Sequence, residues 1–301
     1  MNRPSGPYAL LFPGQLGALE GMERPFLQEP AFADALEQLE AWGERDYAGL
    51  VSGPGASSLE DRFGASLLMV THGWACSLAV MDRLGPPALS AGYSLGFYAA
   101  AAAAGCAPLP LFLEWVRRVN ACNQKRFPAG RFSMGACTGL EPGALMERFR
   151  TLGLPGLEPA DINNRMQVVF AGPSREVAQA VEMLKGEVLD IRDLGFDVPL
   201  HSPYMAATRD EVAPWWNGRD LADPDFPLVS PIDGALLCKG REIRETVREA
   251  LALPTDWTAV TAALKARGAA WAVDLSPGGE ISRMTRWNWR GLSVLPARDI
   301  F

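Results

Sequence analysis

The segment around Ser94 has the residue pattern of a nucleophile elbow, a tight turn that exposes a serine hydroxyl for attack on a carbonyl carbon. Ser94 lies between Gly92 and Gly96 in a Gly-x-Ser-x-Gly pattern, and the glycines remove side chains that would collide in a sharp strand-to-helix turn. A short apolar segment (87–91) precedes the turn, and an alanine-rich segment of high helix propensity (98–104) follows it. We therefore predict that Ser94 is a nucleophile; the alternative is a plain connection between two elements.

A serine hydroxyl needs a base within hydrogen-bond reach, and the chain has two histidines. His72 lies in a strongly apolar segment with helical spacing, so we interpret it as a core residue. His201 lies where the chain is expected to return from an inserted domain, and we predict that it is the base. The group that orients its imidazole stays open. The candidates are a backbone carbonyl or the carboxylate of Asp161, Asp190, Asp193 or Asp197.

A tetrahedral intermediate also needs two N–H donors aimed at its oxyanion. Leu95, directly after the serine, supplies one donor from its backbone at a helix N-terminus. A second donor could come from the glycine-bearing loop around Gln15, after the first predicted strand. The same loop could equally be a plain strand-to-helix connection.

The order of predicted elements indicates how these residues are positioned. The first strand covers 8–12, and a β-α-β-β-α-β order, which is that of a ferredoxin-like unit, runs from 132 to 192. We predict an α/β fold in which an α/β-hydrolase-like large domain with a parallel central sheet (1–128 and 196–301) carries an inserted ferredoxin-like small domain (129–195). A substrate site is expected in the cleft between them.

Composition narrows the classes of function. The net charge of −7 and the lack of a phosphate-binding glycine motif argue against nucleic acid as a partner. Five scattered cysteines without a Cys-x-x-Cys pair, together with only two histidines, argue against disulfides and a metal site. No apolar run reaches the ~18 residues of a membrane span, and the N-terminus lacks signal-peptide features. We predict a cytoplasmic, monomeric enzyme without bound metal or a membrane contact.

Four segments resemble, in the same order, motifs of the malonyl-CoA:acyl carrier protein transacylases. The acyltransferase domains of polyketide synthases are similar. The segments are 10–15 (Leu-Leu-Phe-Pro-Gly-Gln), 92–96 (Gly-Tyr-Ser-Leu-Gly), 200–203 (Leu-His-Ser-Pro) and 274–279 (Asp-Leu-Ser-Pro-Gly-Gly). The resemblance extends over essentially the whole chain, including the predicted insert.

The resemblance implies a ping-pong transfer through an acyl-Ser94 intermediate, with His201 as the base. The acyl donor would be a coenzyme A thioester, and the acceptor would be the phosphopantetheine thiol of an acyl carrier protein. Both are substrates, and no bound cofactor is implied. The resemblance further implies that the backbone N–H groups of Gln15 and Leu95 bind the oxyanion, and that the backbone carbonyl of Ala250 orients the histidine.

Departures from the family pattern concern the substrate-binding residues. Asn163 corresponds to an asparagine that lines the family's cleft, and Tyr93 stands where a histidine is usual. By ungapped counting, the arginine that binds the malonate carboxylate corresponds to Val119, which cannot pair with a carboxylate. Neighbouring Arg117 or Arg118 could take over its role, although helical geometry points neighbouring side chains in different directions.

Three functions remain open. The first is an acyltransferase that loads a carrier protein and favours a non-carboxylated acyl group. A variant of this function is a true malonyl transacylase in which Arg117 or Arg118 binds the malonate carboxylate. The second is an acyl hydrolase that clears carrier-bound acyl groups with the same serine and histidine. The third is a non-catalytic subunit, which the presence of both Ser94 and His201 disfavours. The acyl group, the donor and the pathway stay open.

Overall fold

The computed structural model describes residues 4–15, 30–43 and 59–300 of the chain, which form two β-sheets surrounded by helices. The strands are β1 (Tyr8–Phe12), β2 (Leu89–Gly92), β3 (Phe132–Thr138), β4 (Glu158–Asn164), β5 (Gln167–Pro173), β6 (Asp190–Asp193), β7 (Leu228–Val229), β8 (Leu236–Leu237), β9 (Thr255–Asp256), β10 (Trp271–Asp274) and β11 (Ser293–Pro296). The α-helices are α1 (Pro30–Gly43), α2 (Leu59–Leu84), α3 (Gly96–Ala103), α4 (Leu109–Arg126), α5 (Pro142–Thr151), α6 (Ser174–Leu184), α7 (Ala206–Val212), α8 (Gly240–Glu249), α9 (Trp257–Ala266) and α10 (Glu280–Asn288).

The larger sheet has the strand order β11-β10-β1-β2-β7-β8. Its first five strands run parallel, and β8 is antiparallel to β7. All five residues of β1 are buried. Leu10 and Phe12 pack into the core on one face, whereas Ala9 and Leu11 pack on the other. A strand covered on both faces reads as a continuous apolar run, and the predicted parallel central sheet is confirmed.

The smaller sheet has the order β6-β3-β5-β4-β9. Strands β3 to β6 pair antiparallel, and α5 and α6 lie between them in the chain order of a ferredoxin-like unit. The fold class predicted from the sequence is therefore confirmed. One strand of this sheet was not predicted: the two-residue β9, from the C-terminal part of the chain, extends the sheet parallel to β4. Two residues are too few for a periodic pattern. In the larger sheet, β8 and β11 were not predicted either.

Helix α2 corrects one expectation from the sequence. Its segment Phe63–Leu84 has 22 residues with a mean hydropathy of 1.4, which is long and apolar enough by composition to cross a membrane. The expectation that no apolar stretch reaches that length is therefore wrong. The reason for its composition is packing, since 83% of the apolar window is buried inside the protein. A helix that is hydrophobic all round is typical of a core.

Candidate active site

Ser94 lies in a sharp turn between the end of β2 and the start of α3. Its φ is +52°, a left-handed conformation that residues other than glycine rarely adopt. The Gly96 N–H donates to the Tyr93 carbonyl at 2.9 Å, and the Phe97 N–H donates to the Ser94 carbonyl at 3.0 Å, so the turn leads directly into the helix. Such strain costs about 1–3 kcal/mol and persists only where its surroundings enforce it.

The glycines around the serine are required by close backbone packing. A Cβ atom on Gly92 would collide with the backbone of Gly96, and one on Gly96 would collide with the carbonyl group of Phe12. A Cβ atom on Gly14 would lie 2.8 Å from the carbonyl oxygen of Tyr93. The end of β1, the end of β2 and the first turn of α3 therefore meet backbone against backbone. Only glycine allows this approach.

His201 contacts Ser94 across the cleft between the two sheets. Its Nε2 lies 2.8 Å from the serine Oγ, and its Nδ1 lies 2.6 Å from the carbonyl oxygen of Ala250. A carbonyl only accepts, so Nδ1 carries the proton and Nε2 accepts the serine O–H. The φ of His201 is +54°. Ser94 and His201 are the two non-glycine residues with positive φ in the described part of the chain.

The carbonyl that orients the histidine lies at a helix C-terminus. Ala250 is the residue directly after α8, where the helix dipole is negative and favours a neighbouring cation. An imidazolium that forms at His201 during proton transfer would be stabilised there. Of the groups left open by the sequence, this backbone carbonyl is the one that contacts Nδ1 in the structure.

Of the four candidate carboxylates, one is exposed and three accept hydrogen bonds from groups other than His201. Asp190 is exposed on β6, and Asp193 accepts a hydrogen bond from Ser133 Oγ at 2.6 Å. Asp197 accepts from the backbone N–H of Gly130 at 3.2 Å. Asp161 is buried and accepts from Thr255 Oγ1 at 2.6 Å. The hydrogen bond between Asp161 and Thr255 cannot be read from the sequence, since the two residues are 94 positions apart.

The two residues predicted to bind the oxyanion lie beside Ser94. Gln15 follows β1 by three residues and lines the cavities next to the serine. Leu95 directly precedes α3, where the first N–H groups of a helix have no partner within the helix. The Tyr93 N–H donates to the Phe12 carbonyl at 3.0 Å, which places the two loops side by side. The loop residues after Gln15, at 16 and 17, lie outside the described residues.

An apolar cavity of about 120 Å³ opens at the Ser94–His201 pair; we call it the acyl cavity. Val119, which is buried, lines it. Its other lining residues are mainly apolar, and the polar ones include Ser66, Asn120, Asn123 and Asp197. Among the described residues that line it there is an aspartate but no lysine or arginine.

The arginines next to Val119 face away from this cavity. The Nε atoms of Arg117 and Arg118 each lie 2.7 Å from a carboxylate oxygen of Glu114. The guanidinium of Arg118 also lies 5.5 Å from the centre of the Trp215 ring. Their side chains are 58% and 46% exposed, respectively. The structure thus places Arg118, a predicted substrate contact, at the surface of α4.

Tyr93 and Asn163 form a contact between the two sheets. The buried Tyr93 hydroxyl donates to Asn163 Oδ1 at 2.8 Å, and Asn288 Nδ2 donates to the Asn163 carbonyl at 2.8 Å. Neither side chain lines the acyl cavity. Burial, followed by the nearby Asp161 carboxylate, raises the pKa of the Tyr93 hydroxyl well above its usual value. The hydroxyl is therefore a neutral donor.

His72 lies in the core, away from the cleft. It is fully buried, and its Nε2 lies 3.1 Å from the Leu275 carbonyl oxygen. Burial lowers the pKa of His72 to about 4, so the ring is neutral at pH 7. Among the described residues, no group of three or more His, Cys, Asp or Glu side chains could hold a metal ion.

No family model matches this chain, but individual proteins of known identity are similar to it. The malonyl CoA-acyl carrier protein transacylase of Bacillus subtilis (strain 168) is 25% identical over 300 residues, which cover 97% of this chain and 93% of that protein. The transacylase of the same name from Mycobacterium tuberculosis (strain ATCC 25618 / H37Rv) is 28% identical over 298 residues, or 97% of this chain and 95% of that one. The polyketide biosynthesis protein ThaF of Burkholderia thailandensis is 26% identical over 93% of this chain, which spans 24% of ThaF.

Solved structures share the fold. An acyl-carrier protein S-malonyltransferase from Burkholderia pseudomallei 1710b superposes with a TM-score of 0.90 at 24% identity, covering 98% of both chains. A malonyl-transacylase solved in complex with its type II polyketide synthase acyl-carrier protein superposes with a TM-score of 0.89 at 23% identity, covering 97% of this chain and 96% of that one. The resemblance inferred from the four sequence segments is confirmed.

Proposed function

We propose that this protein is an acyltransferase which loads an acyl carrier protein through an acyl-Ser94 intermediate. Its similarity to malonyl-CoA:acyl carrier protein transacylases supports this proposal. The observation that carries the proposal is the hydrogen-bonded series from Ser94 Oγ through the His201 ring to the Ala250 carbonyl, with distances of 2.8 and 2.6 Å. A serine paired with an oriented base is the arrangement that nucleophilic catalysis requires.

In the first half-reaction, His201 Nε2 takes the proton of the Ser94 hydroxyl while Oγ bonds to the carbonyl carbon of an acyl thioester. The oxyanion accepts hydrogen bonds from the backbone N–H groups of Gln15 and Leu95. The carbon–sulfur bond then breaks, and the thiol leaves with the proton held by His201. Coenzyme A is the leaving group, and the acyl group stays on the serine.

In the second half-reaction, the thiol of a phosphopantetheine arm gives its proton to His201 Nε2 and attacks the acyl-Ser94 carbonyl. The serine oxygen leaves and regains a proton from the imidazolium. The acceptor is proposed to be a carrier protein because a relative with this fold was solved in complex with one. The cytoplasm supplies both thioester donors and carrier proteins, so we place the reaction there, with a monomeric enzyme.

The acyl cavity supports a preference for a short acyl group without a carboxylate. Val119 lines the cavity, and Asp197 is the acidic residue among the described residues that line it. Arg117 and Arg118 are paired with Glu114 at the surface. A malonyl carboxylate in this cavity would be desolvated without a cationic partner and would face Asp197. Burying an unpaired carboxylate costs several kcal/mol.

The test is to incubate the protein with a panel of acyl-CoAs and to measure the mass of the intact protein. We expect one acyl adduct that is absent in Ser94→Ala and retained in Ser293→Ala, a matched change at an exposed serine of β11. Addition of a holo carrier protein should remove the adduct and load the carrier. An adduct that persists in Ser94→Ala, or no adduct from any acyl-CoA, would contradict the proposal.

A further inference from the structure

A second, smaller chamber opens on the same two reactive groups. It has a volume of about 40 Å³ and lies next to Ser94 and His201, on the side of the smaller sheet. Its polar wall also includes Tyr93 and Asp161. The rest of the wall is largely apolar and comes from Met134, Val169, Leu194, Phe196 and Leu200. Beside the reactive pair there is thus a second space, which shares Gln15, Phe196 and Leu200 with the acyl cavity and adds the polar residues Tyr93 and Asp161.

Asp161 is the unusual member of this wall, because a carboxylate is costly to bury without a partner. It is 6% exposed. Thr255 Oγ1 donates to its Oδ1 at 2.6 Å, and the two residues are directly paired between β4 and β9. Burial raises the pKa of Asp161, whereas the nearby His201 and the hydrogen bond from Thr255 act in the opposite direction. Asp161 and His201 line the same chamber.

The dimensions and polarity of the chamber fit a water molecule. A buried water needs at least about 10–15 Å³ and two to four polar partners. The chamber offers the Asp161 carboxylate and the lone pairs of the Tyr93 hydroxyl, which donates to Asn163 and can still accept. Ser94 and His201 also line it. An apolar chamber of the same size would stay dry.

We propose that this chamber binds a water molecule between Asp161 and His201, and that this water hydrolyses acyl-Ser94 as a second activity of the same site. The proposal rests on the proposed function, since it needs the acyl-serine intermediate. The substrate class is an acyl thioester, and the acceptor is water instead of a carrier thiol.

The reaction balances with the groups present. In the acyl-enzyme, the neutral His201 has no serine proton to accept, so its Nε2 takes a proton from the water as the water oxygen bonds to the acyl carbon. The bond between the acyl carbon and Ser94 Oγ then breaks, and Oγ receives that proton from His201. The net change converts a thioester and water into a carboxylic acid and a thiol. The Asp161 carboxylate accepts a hydrogen bond from the water and favours the transient imidazolium.

The experiment compares hydrolysis with transfer from one acyl-enzyme. The protein is acylated with the best short acyl-CoA of the panel, desalted, and placed either in buffer made with heavy-oxygen water or in buffer containing pantetheine. Loss of acyl-Ser94 is followed by intact mass, and label in the released acid reports hydrolysis. Asp161→Asn keeps an oxygen acceptor for Thr255 but removes the charge. Val169 is paired with Asp161 across β4 and β5, and Val169→Ile narrows the chamber while leaving the carboxylate itself in place. Asp190→Asn is the matched control at an exposed carboxylate of the same sheet.

We expect Asp161→Asn and Val169→Ile to slow hydrolysis by at least about tenfold while transfer to pantetheine falls by less than about threefold, with Asp190→Asn changing neither. Hydrolysis that is unchanged in both chamber variants would overturn the inference, and so would equal losses of hydrolysis and transfer. If one variant fails to fold, the other carries the test. Failure of the wild-type protein to form acyl-Ser94 would instead contradict the proposed function.

Discussion

Replacement of Val119 by arginine should shift the acyl preference of the enzyme toward malonyl. Val119 lies in the wall of the acyl cavity, and the described residues of that wall include Asp197 but no lysine or arginine. A malonyl carboxylate would therefore lose its hydration without gaining a cation. An arginine at position 119 places a guanidinium in the cavity wall, and a guanidinium can bind a carboxylate through two hydrogen bonds.

The expected size of the effect follows from the cost of burying the charge. We take the cost of burying the unpaired carboxylate as about 3 kcal/mol. Because each 1.36 kcal/mol changes a rate about tenfold, the wild-type protein should load propionyl onto Ser94 roughly 100-fold faster than malonyl. A charge-assisted pair contributes about 1.5–3 kcal/mol. Because Asp197 lines the same cavity and competes for the new guanidinium, we expect Val119→Arg to recover about tenfold of this ratio.

The assay is a competition between equimolar malonyl-CoA and propionyl-CoA, with the two Ser94 adducts separated by intact mass. Val119→Leu is the control for a larger side chain without charge, and thermal unfolding checks that each variant folds. A wild-type protein that loads malonyl as fast as propionyl would refute the reasoning. So would a Val119→Arg variant whose malonyl-to-propionyl ratio is no higher than that of Val119→Leu.

Three further predictions concern stability. The pKa of His72 is about 4 in the folded protein, against an ordinary value of 6.5, so the unfolded chain binds the proton more tightly. The free energy of unfolding should therefore fall by about 3 kcal/mol as the pH decreases from above 6.5 toward 4. Urea unfolding of the wild-type protein and of His72→Gln across this range should show the loss in the wild-type protein only, and parallel curves would exclude the assignment. Gly96→Ala should prevent recovery of folded protein or lower the melting temperature strongly, because its Cβ would collide with the backbone of β1. Gly143→Ala is the control, because a Cβ there meets nothing within 4 Å, and its melting temperature should not fall. Similar melting temperatures for both variants would contradict the packing argument. Tyr93→Phe leaves Asn163 Oδ1 without the donor at 2.8 Å and should lower the free energy of unfolding by about 1–2 kcal/mol in urea, whereas an unchanged value would mean that this bond contributes nothing net.

Much of the fold was predictable because its signals are local. The five apolar residues of β1 predict a buried strand, and α3 follows the elbow where the alanine-rich segment begins. The β-α-β-β-α-β order also comes from local periodicity. Local signals were also incomplete at 202–216: the sequence pattern there predicts one helix, whereas the structure has a short α7 between two 3₁₀ turns that contain Pro203 and Pro214. Proline removes a backbone donor that a continuous helix needs.

Some features of the candidate active site were likewise predictable from the sequence, and others depend on the tertiary structure. Residue types and spacing predicted that Ser94 lies in a sharp turn and that His201, at the expected return from the inserted domain, is the base. Tertiary structure decided that the Ala250 carbonyl contacts the histidine and that Asp161 accepts a hydrogen bond from Thr255. A carbonyl belongs to every residue and so carries no signal in the sequence. Its role depends on which distant segments fold into contact, and only the packed structure determines that.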